Sequence, residues 1–294
     1  MVTYNPKDWF TFIFRFHKAD TFRQLSPMMV AMCVYSFFVA WLEIEVWHVS
    51  KTNPLTNVSV MHSTLGFVIS LLLVFRTNTA YDRWWEGRRN WGALVNCSRN
   101  LAIKLHAILG EKNADDRFFF SHMIPNYAFA LKNHLRKKND TSEFTEISLM
   151  NNDLSKNIQH VPNRIARMIY ERINVLYENG VVKNEQLILL NNEAQQLTEI
   201  CGACERIKNT PIPFSYSSFI KKFIFFYIMT LPWGYVFSVG YFIIPIVILI
   251  FYVLASLELI AEEIEDPFGA DANDLPTDEI SENIRRAVSE IMGK

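Results

Sequence analysis

The chain has 294 residues, and its 29 Lys and Arg against 30 Asp and Glu leave a formal net charge of -1. Charged residues make up 20% of it, a share that excludes neither a water-soluble globule nor a membrane protein, and no nucleic-acid partner is expected. Their placement is more selective: residues 24–42, 52–75 and 223–257 contain no Asp, Glu, Lys or Arg, and uncharged runs of that length are unusual in water-soluble cores.

Near its start the chain reads NPKDWFTFIFRFHKADTF (5–22), which lacks the uninterrupted apolar core and small-residue cleavage site of a secretory signal. Its alternation of aromatic and basic residues fits a segment lying in the membrane interface, or an ordinary packing helix in the cytoplasm. The first apolar run, 24–42, predicts a membrane helix. The second, 52–75, has His62 as its one ionisable residue and meets the roughly 20 residues needed to cross a hydrocarbon core of about 30 Å. It runs directly into FRTNTAYDRWWEGRRNWG (75–92), an arginine- and tryptophan-rich exit typical of a cytoplasmic boundary.

From Thr77 to about Ser217 the pattern is helical, with weak strand alternation and no repeat of fixed period. In IARMIYERINVLYENG, Ile165, Ile169, Ile173 and Leu176 share one stripe, and Gly180 is the expected stop. A second helix, NEQLILLNNEAQQLTEICGACERI, should end before Pro211 and Pro213. The polar stretch KKNDTSEFTEISLMNNDLSKN upstream of both reads as a loop. Cys201 and Cys204 form CGAC within a helical pattern, without a second pair to complete a zinc site, so they are expected to pack rather than react.

The third apolar run, 223–257, is long enough for two spans. Pro232 and Gly234 in LPWG are the expected break of a tight hairpin, Trp233 suits a membrane interface, and Pro245 should kink the final span. The first arm is expected to begin before Lys221 and Lys222. Four spans result. Of the 29 basic residues, 21 lie between Arg76 and Lys222, Lys51 alone lies between the first two spans, and the hairpin turn holds none, so the middle of the chain and both termini are assigned to the cytoplasm. The last segment combines the acidic run EEIEDPFGADANDLPTD with a tail helix whose stripe is Ile280, Ile284, Ala287, Val288 and Ile291.

Four motifs, FRTNTAYDRWWEGRRNWG, ACERIKNTPIPFSY, LPWG and EEIEDPFGADANDLP, occur in one order over residues 75–276 and together resemble the bestrophin ion channels, most closely their bacterial members. The resemblance implies an all-α membrane protein with four transmembrane helices per protomer and a helical cytoplasmic domain, assembled as a homopentamer around one central pore. The division expected is an interfacial segment (1–26), spans one and two with the pore neck (27–76), the cytoplasmic helical domain (77–217), spans three and four (218–260), and an acidic segment with tail helix (261–294). By the same resemblance Phe67, Leu71 and Phe75 match the family's neck, and their i, i+4, i+8 spacing puts them on one helix face. Ser63, Gly66 and Ser70 would let neighbouring helices approach. Arg76, Asn78, Arg83, Arg88 and Arg89 would lie at or below the neck, where they could attract anions or pair with acids, while Trp84 and Trp85 are expected as boundary anchors.

A second restriction is expected near Glu185, with Leu187 and Leu189 as alternatives, and a ring of carboxylates there would favour cations. Asp271 and Asp274, and less directly Glu263 and Asp266, match the family's calcium clasp, so calcium is an option although no cofactor is required. The function expected is passive conduction of small monovalent ions across a bacterial inner membrane, chloride or other anions first and sodium second. A non-conducting sensor or scaffold is the reading from another class. An enzyme is not expected, since HExxH, GxSxG and Gly-rich phosphate loops are all missing.

Overall fold

The fold is given by a computed structural model that describes residues 21–48, 58–138, 140, 142–144 and 160–293; the N-terminal aromatic segment, the start of the second span and most of the polar loop lie outside these. Every regular element among the described residues is helical. In chain order they are α1 (Thr21–Trp41), prolonged by a π-helical turn at Leu42–Val46, α2 (Val58–Leu109), α3 (Ala114–Leu135), α4 (Val161–Glu178), α5 (Asn184–Asn209), α6 (Phe214–Val239), α7 (Ile243–Glu265) and α8 (Thr277–Met292).

Among the described residues, three helical stretches are long and apolar enough to cross a membrane: Thr21–Val46, Val58–Leu109, and Phe214–Glu265, which holds both α6 and α7. Pro27 sits inside α1, where it cannot donate to the Arg23 carbonyl one turn earlier, and the Ser26 hydroxyl donates to that carbonyl at 3.0 Å instead. The α6–α7 pair is an antiparallel hairpin, because Lys221 near the start of α6 pairs with Glu262 near the end of α7 at 2.8 Å.

The hairpin turns later than the sequence suggested. Pro232 and Gly234 lie inside α6, and the reversal falls at Gly240, whose φ of +59° is one that side chains with a Cβ rarely adopt. Gly234 serves close packing instead: a Cβ there would meet Val58 Cγ1 of α2 at 3.3 Å. Trp233 donates to the Tyr35 hydroxyl at 2.9 Å, and Tyr35 donates to the Met229 carbonyl at 2.8 Å, so this indole ties α6 to α1. Pro245 is the third residue of α7, a position whose N–H has no intrahelical acceptor, so its ring removes no helical hydrogen bond. As expected, α6 starts ahead of the two lysines, at Phe214.

Two cores result, and α2 belongs to both. Ile69 and Leu73 of α2 pack with Met32, Ile220, Ile224, Ile228, Val247 and Phe251 from the other apolar helices. Further along the same helix, Trp91, Leu94, Leu101 and Leu105 pack with Phe120, Tyr127, Ile169, Leu197 and Val288. At 52 residues and 1.5 Å per residue, α2 is roughly 78 Å long, so the boundary drawn at residue 76 falls within an unbroken helix.

The stripe Ile165, Ile169, Ile173 and Leu176 is buried along α4, which ends two residues before Gly180, and α5 stops at Asn209, ahead of Pro211, as the pattern predicts. Cys97, Cys201 and Cys204 are buried thiols, and burial pushes Cys97 and Cys201 up to about 12, which keeps them protonated and unreactive. The tail helix α8 docks on α3 and α2 of its own chain, burying Ile280, Ile284 and Val288. Asp278 in its first turn accepts from Arg136 at 2.7 Å and from Lys132 at 2.9 Å. Arg136 first, with Lys132 in support, outweighs burial and holds the Asp278 carboxyl down at about 2.

Where α2 leaves the apolar core, Arg76 is 1% exposed and pairs with Glu258 at 3.5 Å and Glu265 at 2.8 Å, both from α7. Removing the guanidinium would leave two carboxylates facing each other out of water. Arg76→Ala should destabilise the protein by about 3–5 kcal/mol. Thermal unfolding of the detergent-solubilised protein checks this, and a variant that melts with the parent would refute the role given to the pair.

Candidate functional site

At 100° per residue, Phe67, Leu71 and Phe75 lie on one side of α2, roughly half a turn from Ile69, Leu73, Arg76 and Ala80, which pack inward. The consequence is visible in exposure: Phe67 is 71%, Leu71 46% and Phe75 56% exposed in the single chain. Polar groups along this stretch are already satisfied within the chain. Ser70 and Thr79 donate to the carbonyls of Gly66 and Phe75 at 2.8 and 2.9 Å, and buried His62 meets the Val58 carbonyl at 3.0 Å and the Thr230 hydroxyl at 2.9 Å. The exposed face is therefore apolar across three turns. Of the small residues, Ser63 and Ser70 are exposed, whereas Gly66 faces the inside of the chain, where a Cβ would come within 2.8 Å of the Tyr227 hydroxyl.

Beyond Phe75 the same side of α2 becomes polar, carrying exposed Asn78, Asp82, Trp85, Arg88, Arg89, Asn96 and Arg99. The arginines expected here divide into two groups. Arg76 is committed to α7, and Arg83 donates to the carbonyls of Ile207, Thr210 and Glu265, closing the C-terminal end of α5. Trp84 is likewise occupied, donating to the Asn273 carbonyl at 3.0 Å, so it is a packing residue and Trp85 alone is exposed. Arg88, Arg89 and Arg99 are the exposed cations.

Helix α5 runs antiparallel to the lower half of α2. Arg206 meets Glu86 at 2.7 Å while Lys104 meets Glu193 at 2.6 Å, so the first turns of α5 lie beside the far end of α2. That end is roughly 40–50 Å along the helix from Phe75. Here the residues proposed for a second restriction part company. Glu185 and Leu189 are exposed, whereas Leu187 packs against the core formed around the lower half of α2. Ile188, which the sequence reading passed over, is the most exposed apolar side chain on this helix at 64% and lies one turn beyond Glu185.

The acidic segment after α7 does not gather its carboxylates. Asp266 is held by Lys208 at 2.5 Å, and Glu263 accepts from the Asn273 amide at 2.6 Å. Asp274 is buried, with Oδ2 accepting the Asp271 N–H at 2.7 Å and Oδ1 left without a partner. Burial, partly offset by that N–H and reinforced by the charges of Asp271, Asp266 and Glu263, pushes the Asp274 carboxyl up to about 6. With two of its four members committed to other side chains, the set does not fit a calcium chelate of converging oxygens.

A family model described as bacterial/fungal bestrophin protein matches residues 1–290. The chain is 36% identical over 230 residues to a voltage-dependent anion channel-forming protein of Nostoc sp., covering 77% of this chain and 75% of that one. It is 30% identical to a protein of the same description from Synechocystis sp., covering 98% and 93% of the two chains. Among solved structures, a mutant of a bacterial bestrophin homologue from Klebsiella pneumoniae superposes with a TM-score of 0.81 at 26% identity, over 92% of this chain and 100% of that chain.

The raised Asp274 carboxyl sets a direction for pH dependence. Its protonated form is favoured in the fold, so the stability it contributes is complete below the ordinary value of 3.8 and is lost as pH rises through about 6. Asp274→Asn abolishes that loss. The unfolding free energy of the variant, followed by denaturant titration, should draw ahead of the parent between about pH 4 and pH 6, by up to about 3 kcal/mol, and then keep a constant lead. A lead that does not change with pH would show that Asp274 does not titrate in this way.

Proposed function

The chain belongs to the bacterial and fungal bestrophin family, and from that membership we propose that it is an anion channel-forming membrane protein rather than an enzyme. The observation that carries the reading is the exposed side of α2, apolar at Phe67, Leu71 and Phe75 and then lined by Arg88, Arg89 and Arg99. Several copies of the chain, five in our reading, arrange this side around a common axis. Rings of Phe67, Leu71 and Phe75 then form a hydrophobic neck that passes ions by dehydration and gates by dewetting. Apolar rings carry no sign, so charge selection falls to the wider basic stretch below, where the unpaired positive potential favours anions.

The remaining parts follow from the same arrangement. The α1, α2, α6 and α7 helices span the inner membrane, α3 to α5 and α8 form the cytoplasmic body, both termini are cytoplasmic, and no cofactor is required. Glu185, Ile188 and Leu189 stand where α5 reaches the cytoplasmic exit, with Leu187 behind them. Exposed Glu185 at the exit, with exposed Asp82 on α2, favours the sodium-selective alternative, since rings of carboxylates would attract cations.

Planar-bilayer recording under a chloride gradient tests both readings. The reversal potential should sit near the anion equilibrium value, and a value near the cation equilibrium would establish the sodium reading instead. Replacing Phe67, Leu71 and Phe75 together by Ala should raise unitary conductance several-fold without inverting selectivity. Unchanged conductance in that variant would remove these residues from the pore, and an absence of ion flux from liposomes holding the native oligomer would favour a sensor or scaffold.

A further inference from the structure

Away from the proposed pathway, three helices of the cytoplasmic body bring two imidazoles and a carboxylate together. His134 lies in the last turn of α3, His160 is the N-cap of α4, and Glu205 belongs to the last turns of α5. His134 Nε2 is 2.6 Å and His160 Nε2 is 2.8 Å from the same oxygen, Glu205 Oε1. The two rings are 4.3 Å apart centre to centre, and the three ligand atoms fall within 4.8 Å of one another. All three side chains are half-buried, which shields the cluster while leaving one side open to water.

We propose that His134, His160 and Glu205 form a binding site for a divalent first-row transition ion, with zinc as the reference case. Two imidazole nitrogens and one carboxylate oxygen make a mixed donor set that zinc accepts in tetrahedral geometry, with water as the fourth ligand. Ligands on such an ion, at bonds of about 2.0–2.1 Å, sit about 3.3 Å apart, so the two histidine contacts to Glu205 need to open by only about half an ångström. The site is preformed by backbone elements rather than by a loose loop end, since each donor sits on or caps a helix.

The metal-free cluster has its own hydrogen-bond logic, which defines what binding must change. The Asn163 N–H donates to His160 Nδ1 at 3.2 Å, so the His160 proton resides on Nε2 and points at Glu205. Metal on Nε2 moves that proton to Nδ1 and releases the Asn163 cap, the longest of the three contacts around the ring. The ion would replace a shared hydrogen bond by three coordinate bonds and fasten the ends of α3 and α5 to the start of α4.

The test loads the full-length purified protein with zinc, and separately with cobalt, after chelation and dialysis. Metal analysis should give one tightly held equivalent per chain. The cobalt form should show the visible absorption of a four-coordinate ion, and zinc should raise the melting temperature. All three signals should be lost in His134→Ala combined with His160→Ala, and the metal content should fall at least tenfold in Glu205→Gln, which keeps a hydrogen-bond acceptor and so preserves the fold. His106→Ala, at an exposed histidine on α2, should retain them. Absence of binding by the parent, or binding equal in the parent and these variants, would show that the trio is a hydrogen-bonded clamp only.

Discussion

A guanidinium withdrawn from water at the end of an apolar helix has to be paired, and Arg76 is the point on which this architecture turns. Its partners, Glu258 and Glu265, both come from α7, so the pairing fixes α2 against the hairpin and also fixes the rotation of α2 about its own axis. Once Arg76, Ile69, Leu73 and Ala80 face inward, helical geometry leaves Phe67, Leu71 and Phe75 no direction but outward. The orientation of the proposed neck is thus decided by an ion pair outside it. Arg83 extends the same bracing by donating to the Ile207 and Thr210 carbonyls at the end of α5 and to the Glu265 carbonyl at the end of α7.

This separation of tasks runs through the basic residues of the whole exit region. Arginines that turn toward the protein hold helices together, and those on the outer side of α2 are exposed and, in the proposed channel, supply potential. Sequence alone could not sort them, because Arg76, Arg83, Arg88 and Arg89 share one motif and differ only by angle around the helix. Exposed Trp85 and committed Trp84 divide in the same way.

Much of the fold was nonetheless legible. Uncharged runs located the apolar helices, the period of Ile165, Ile169, Ile173 and Leu176 located α4, and the paired prolines after Asn209 located the end of α5. The misplaced hairpin turn has a clear physical cause. A proline inside a helix removes one hydrogen bond but is tolerated among packed apolar helices, whereas the reversal itself needed the left-handed backbone of Gly240. Ile188 escaped notice because a run such as LILL gives no clue to which residue faces outward until the helix is packed. The His134, His160 and Glu205 trio was invisible for a different reason: its members are spread over 72 residues, and only the packing of α3, α4 and α5 brings them together. The acidic run, by contrast, was conspicuous in sequence, and in the fold Asp266 and Glu263 are held by Lys208 and Asn273.

The unbroken α2 has a mechanical corollary. It contains no proline from Val58 to Leu109, and its lower half is bolted along α5 by the Glu86 and Glu193 ion pairs. A rod of this stiffness conveys torque: a twist imposed where α5 grips it arrives at Phe67, Leu71 and Phe75 with the same sense. In the proposed channel the helical body around α5 would then act as a handle, and the diameter of the proposed constriction would be set by how far that handle is turned.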